Sequence, residues 1–232
     1  MIPLKDSNPT ERFPIVTVLF IILNCLVFLY EIALGEGQGE YFVGAFALVP
    51  ARLFPAGAAA AGPFPAGVTL FTSLFLHGGL FHLAGNMLYL WIFGNNVEDA
   101  MGRVRFIIFY LLCGVIASVS HAMANTQSLV PMIGASGAVS GILGAYLLLY
   151  PQARVLTLFT LGFFVRMIEV PAMVVLGFWL VFQFLNALVT QGSGGGVAWY
   201  AHIGGFLAGM ALIGLFKKRT VPFWGRRRFV VL

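Results

Sequence analysis

Six long apolar runs leave this chain few ways to fold. They lie near Ile15–Tyr30, Leu80–Val97, Phe106–Met123, Ser136–Tyr150, Val170–Val189 and Ala201–Phe216. Each is long enough to cross, or nearly cross, a hydrocarbon layer about 30 Å thick. An isolated strand in lipid would leave its backbone N–H and C=O groups unpaired, so helices are expected. Turn signals separate the runs at Gly94-Asn95-Asn96, from Asn125 to Pro131, at Pro151 and at Gly192-Ser193-Gly194-Gly195-Gly196. Composition agrees: 60% of the 232 residues are hydrophobic and 9% charged, against roughly 25% charged in soluble domains. The expected fold is all-α. It is a single membrane domain over residues 1–232, with six transmembrane helices, a long membrane-associated first loop and a basic tail from 217 to 232.

The formal charge of +5 does not point to nucleic acid, because six of the thirteen basic residues sit together in the tail: Lys217, Lys218, Arg219, Arg226, Arg227 and Arg228. Beside an apolar span, such a cluster sets orientation or meets anionic lipid. Lys5 and Arg12 precede the first run, Arg103 and Arg105 fall between runs two and three, and Arg154 and Arg166 between four and five. The alternate links have no Lys or Arg, save Arg52 in the first loop. Both ends are therefore expected on the cytoplasmic side, which requires an even number of spans. The first run is long for a signal peptide and no clear small-x-small cleavage site follows it, so it is read as a retained span. The first loop, roughly Glu31–Gly79, carries Phe42, Phe46, Leu48, Phe64, Phe71 and Leu74. A loop so apolar is expected in the outer interface or folded onto the helices. Cys25 and Cys113 lie inside apolar runs and read as packing residues.

Polar groups inside spans are costly and need a reason. His82 and Asn86 sit near the start of span two, Ser136 opens span four within Gly134-Ala135-Ser136-Gly137, and His202 opens span six. Every even-numbered span starts on the outer side, so all four residues share a depth. Span four has about fifteen residues, roughly 22 Å of helix, so Ser136 should lie below the outer surface and need a water-filled opening. Gly137, Gly141 and Ala145 in span four, and Gly205 and Gly209 in span six, have the small-residue spacing that lets helix backbones approach. Contact between those spans would set His202 beside Ser136.

A serine hydroxyl becomes a useful nucleophile when a histidine takes its proton and later protonates the leaving amine. His202 is the candidate base for Ser136. The chain's acids are Asp6, Glu11, Glu31, Glu36, Glu40, Glu98, Asp99 and Glu169, and none falls in the outer half of spans two, four or six. A Ser–His dyad is expected, without an acidic third member. His82 and Asn86, at i and i+4, share a helix face. With the Ser136 backbone N–H, they are candidate donors to an oxyanion. Ser140, one turn deeper, reads as a packing or pocket residue. His77 reads as structural or part of an aqueous mouth, and His121 as interfacial. Trp179, Phe182 and Phe184 in span five are candidates for a lateral gate.

Gly134-Ala135-Ser136-Gly137, the segment His77…His82…Asn86, and Ala201-His202-Ile203-Gly204-Gly205 followed by Gly209 resemble the rhomboid intramembrane serine proteases. The resemblance covers about Pro14–Phe216, in the expected order, and the six-span form is similar to prokaryotic members. It implies Ser136 as nucleophile, His202 as base, and His82, Asn86 and the Ser136 N–H as the oxyanion site. Gly134, Gly137, His77, Gly205 and Gly209 support them. It also implies single-span membrane protein substrates cut near the outer end of the span, a bacterial inner-membrane location, and neither cofactor nor metal. Val97-Glu98-Asp99-Ala100-Met101-Gly102 resembles the family segment after span two, where the glutamate is structural. The Trp-Arg pair of many bacterial first loops does not occur here.

Three other readings compete. A metal or haem protein would use His77, His82, His121 and His202, but no carboxylate or thiolate accompanies them. An inactive relative that binds membrane clients would be expected to lack the serine or the histidine. A transporter would be expected to show a broken-helix repeat or a midplane ion pair.

Overall fold

A computed structural model describes residues 2–54, 62–161, 164–189 and 197–225. The glycine run at 192–196 and the tail arginines at 226–228 lie outside the described residues. The chain is a polytopic helix bundle with helices at all six expected positions. These are α1 (Ile15–Ala33), a long helix from Leu80 to Met101, α6 (Arg103–Ala124), α7 (Ser136–Leu149), α8 (Ala172–Val189) and α9 (Trp199–Phe216). Two short helices, α2 (Gln38–Phe46) and α3 (Ala66–Thr72), occupy the first loop. Among the described residues α1, α6, α8 and α9 are each long and apolar enough to cross a membrane. The Leu80–Met101 helix qualifies jointly with Ala66–Phe75, from which it is bent by 83°.

α7 is shorter, at 14 residues, about 21 Å. Nearly every one of its residues after Ser136 is buried, as expected of a helix apolar all round at the centre of a bundle. It packs mainly on α9 and α6, and glycine makes that possible. A methyl added at Gly205 would overlap the Gly137 carbonyl, and one at Gly209 would overlap the Gly141 carbonyl. Gly141 itself would strike Cys113 of α6 at 2.5 Å. The small-residue spacing read from the sequence is thus the α7–α9 interface.

Gly94-Asn95-Asn96 does not break span two as the turn signal suggested. Helix continues from α4 (Leu80–Tyr89) through a π turn at Leu90–Gly94 into α5 (Asn95–Met101). Polar partners make the continuation tolerable. The buried Asn96 amide donates to the Asn8 carbonyl at 2.9 Å. Glu98 accepts from the Val16 and Thr17 N–H groups at 3.1 and 2.8 Å and from the Thr17 hydroxyl at 2.8 Å. A carboxylate at that position satisfies orphan donors of α1 and meets the positive end of its dipole. This is the structural role the family resemblance implied for Glu98.

One element was not legible beforehand. The link before span five is a hairpin of β2 (Arg154–Leu161) and β3 (Phe164–Pro171), and β1 (Ile2–Asp6) pairs antiparallel with β2 in the order β1-β2-β3. Val155 and Thr157 point to one buried face, the alternation a half-buried strand needs. Asp6 ends β1 inside the protein, where it accepts the Tyr146 hydroxyl. Burial raises its carboxyl to about 6, against the opposing pull of the Tyr146 hydrogen bond.

An unfolded aspartate ionises near 3.8, so the folded chain prefers Asp6 protonated. Its contribution, up to about 3 kcal/mol, is complete below pH 4 and is lost as pH rises through 6. Amide exchange in β1, corrected for intrinsic rates, should therefore be faster at pH 7.5 than at pH 5, and Asp6→Asn should remove most of that difference.

Candidate active site

The first loop holds the approach to Ser136 in place. Leu48 and Met132 exchange both backbone hydrogen bonds, at 3.1 and 2.7 Å, and the Gly134 N–H donates to the Ser73 carbonyl at 2.9 Å. Leu48, Leu74 and Leu76 are buried, so this part of the loop folds onto the helices. Gly134 then turns with φ +123°, a conformation that favours glycine. Ser136 follows two residues later as the first residue of α7. Its N–H is among the donors that a helix start leaves without an intrahelical acceptor.

The close approach of α7 and α9 brings His202 to Ser136. His202 Nε2 lies 2.8 Å from Ser136 Oγ. Its Nδ1 lies 2.8 Å from Oε1 of Gln183 on α8. The imidazole lies beside two indoles, with Trp179 of α8 tilted at 5.8 Å and Trp199 edge-on at 6.2 Å. Ser140 donates to the Ser136 carbonyl at 2.6 Å, which accounts for its place one turn deeper.

His82 and Asn86 reach the same spot from α4. A Cβ on Gly134 would meet the His82 ring at 2.8 Å and the Asn86 amide nitrogen at 3.7 Å. The Asn86 Nδ2 is buried with no hydrogen-bond partner, a costly condition that an incoming acceptor would relieve. A cavity of about 560 Å³ joins these groups; His82, Asn86, Ser136, Ser140, Trp179 and His202 are among its walls. His77 does not line it. Its ring packs edge-on against His82, 5.2 Å away, so it supports a candidate donor. His121, at the far end of α6, also stays off the cavity wall. Among the described residues no three His, Cys, Asp or Glu side chains converge on a point that suits a metal ion.

Of the span-five aromatics, Trp179 faces inward onto His202 and Phe206, whereas Phe182 and Phe184 are exposed. Phe182 touches Trp199 across the α8–α9 seam, with ring centres 6.1 Å apart. Gln183 was missed by sequence reasoning. Its signal was present: an amide in an apolar span, one turn after Trp179, where polar groups carry a cost.

These features match a known group of membrane proteins. The pattern that defines the rhomboid domain covers residues 66–219. Over 213 residues, 90% of the chain, the sequence is 35% identical to rhomboid protease GluP of Bacillus subtilis. It is 29% identical over 170 residues, 69% of the chain, to the mitochondrial rhomboid protein 1 of Saccharomyces cerevisiae. To RHOMBOID-like protein 1 of Arabidopsis thaliana it is 32% identical over 162 residues, 66% of the chain. The chain belongs to the rhomboid family, and is an integral, multi-pass membrane protein. The matched segments make up 38%, 45% and 38% of these three relatives' own lengths.

Gly134→Ala tests whether the glycine is needed to seat His82. The added methyl is disfavoured at φ +123° and presses on the imidazole. Reaction of Ser136 with a fluorophosphonate should fall at least tenfold, while the detergent-solubilised protein keeps its helical circular dichroism.

Proposed function

We propose that this chain is an intramembrane serine endopeptidase. It hydrolyses a peptide bond in or near the transmembrane segment of single-span membrane proteins. The observation that carries the reading is the 2.8 Å approach of His202 Nε2 to Ser136 Oγ at the wall of a cavity. The relative in Bacillus subtilis is named a protease, which supports the same activity here.

His202 takes the Ser136 proton as Oγ attacks the scissile carbonyl. The oxyanion that forms meets the Ser136 N–H, the Asn86 amide and the His82 ring, each aimed at developing charge rather than at the substrate ground state. Collapse of the tetrahedral species expels the amine, which receives the proton from His202. Water entering the cavity then hydrolyses the acyl ester by the same route in reverse roles. No cofactor takes part. The Lys and Arg distribution supports cytoplasmic termini and a site opening to the outer side, and the likeness to the Bacillus subtilis relative supports residence in a bacterial inner membrane. A substrate helix would enter beside α8, which has the lowest share of buried residues among the four long apolar helices.

Proteoliposomes carrying the protein and a panel of single-span reporters test this reading. At least one reporter should be cut near the outer end of its span. Ser136→Ala and His202→Ala should abolish the cut, and Asn86→Ala should slow it by about 10²-fold, the usual cost of one oxyanion donor. Unabated cutting by Ser136→Ala would rule out this mechanism.

A further inference from the structure

We infer that Gln183 is a positioning residue that locks His202 in the tautomer able to take the Ser136 proton. The inference rests on reading Ser136 as nucleophile and His202 as base. A neutral imidazole carries one N–H and one lone pair, and the partner of one nitrogen decides the state of the other. Gln183 Oε1, 2.8 Å from Nδ1, can only accept. It therefore places the proton on Nδ1 and leaves the Nε2 lone pair facing Ser136 Oγ, 2.8 Å away.

The amide's own orientation is fixed by a second contact. A flipped amide would put its NH₂ against Nδ1 and reverse the tautomer. Gln183 Nε2, however, donates to the Trp179 carbonyl at 3.2 Å, and a carbonyl cannot donate in return. Gln183 is 4% exposed, so water does not compete for either end. The neighbouring Trp179 and Trp199 rings limit imidazole rotation, and Gln183 sets which nitrogen holds the proton. When His202 becomes an imidazolium, Nδ1–H still donates to the amide oxygen, whose dipole favours the new charge. An uncharged residue thus does the orienting that an acid does in a Ser-His-Asp triad. In an apolar span it avoids the cost of burying a carboxylate.

Two measurements on the purified full chain decide the matter. The first is the ¹⁵N spectrum of its four histidines, with His202 assigned by substitution. The second is the rate of Ser136 phosphonylation by a fluorophosphonate in wild type, Gln183→Leu and Gln183→Glu. We expect wild-type His202 protonated at Nδ1 and a mixed tautomer in Gln183→Leu. The limiting labelling rate in that variant should drop by about 30- to 100-fold, at or just below the lower end of the roughly 10²- to 10⁴-fold attributed to general-base catalysis. Its half-saturating probe concentration should change less than threefold. Gln183→Glu, which keeps the acceptor, should recover to within about tenfold of wild type. Wild-type His202 protonated at Nε2 overturns the inference whether or not any variant folds. So does a Gln183→Leu protein labelled at the wild-type limiting rate. Wild type that is never labelled would instead sink the serine-nucleophile reading, and this inference with it.

Discussion

Where α7 and α9 cross, the Gly137 and Gly141 carbonyls lie against the α-carbons of Gly205 and Gly209. Lipid tails are as apolar as leucine, so burial alone does not press two such helices together. Close backbone contact and dispersion do, and they need small residues. Ser136 lies immediately before Gly137, and His202 three residues before Gly205. One more carbon at the seam would move Ser136 and His202 apart, and a shift of about 1 Å is enough to impair the proposed proton transfer. The site's geometry is therefore set by residues that take no part in the proposed chemistry.

The same apolar surroundings govern every polar group in the bundle. Each buried one is costly unless matched, and most are. Glu98 holds the start of α1, Asp6 meets Tyr146, and Gln183 meets both His202 and Trp179. Some are not, Ser73 and Ser118 among them, but of the unmatched groups among the described residues the Asn86 amide nitrogen is the one on the cavity wall. In the proposed reaction that donor is already in place for a charge that appears only in the transition state.

Sequence alone made the bundle and the dyad legible for separable physical reasons. Span parity put Ser136, His202, His82 and Asn86 at one depth, and glycine spacing supplied the contact between their helices. Hydropathy located each helix to within a few residues. Hydropathy carried run two through Gly94-Asn95-Asn96, where the turn signal failed because the Asn8 carbonyl and Thr17, distant in sequence, partner Asn96 and Glu98 and let helix continue. It was silent on the β2–β3 hairpin, because Arg154–Pro171 lies between two strong apolar runs and pairs with the remote strand Ile2–Asp6. The usual third member of such a site is an acid, and the chain has none in the outer half of spans two, four or six. Gln183 lies outside that class, since a neutral amide can orient an imidazole without a charge to betray it. The family match at residues 66–219 establishes kinship, whereas the roles of individual residues rest on geometry.

In the proposed reaction Ser136 is an activated nucleophile inside the bundle and His202 its base. Treating the purified protein with a fluorophosphonate and mapping the adduct by mass spectrometry tests it most directly. A single adduct on Ser136 is expected, and it should vanish in both Ser136→Ala and His202→Ala. An adduct on Ser140, or full labelling of Ser136 in folded His202→Ala protein, would contradict it.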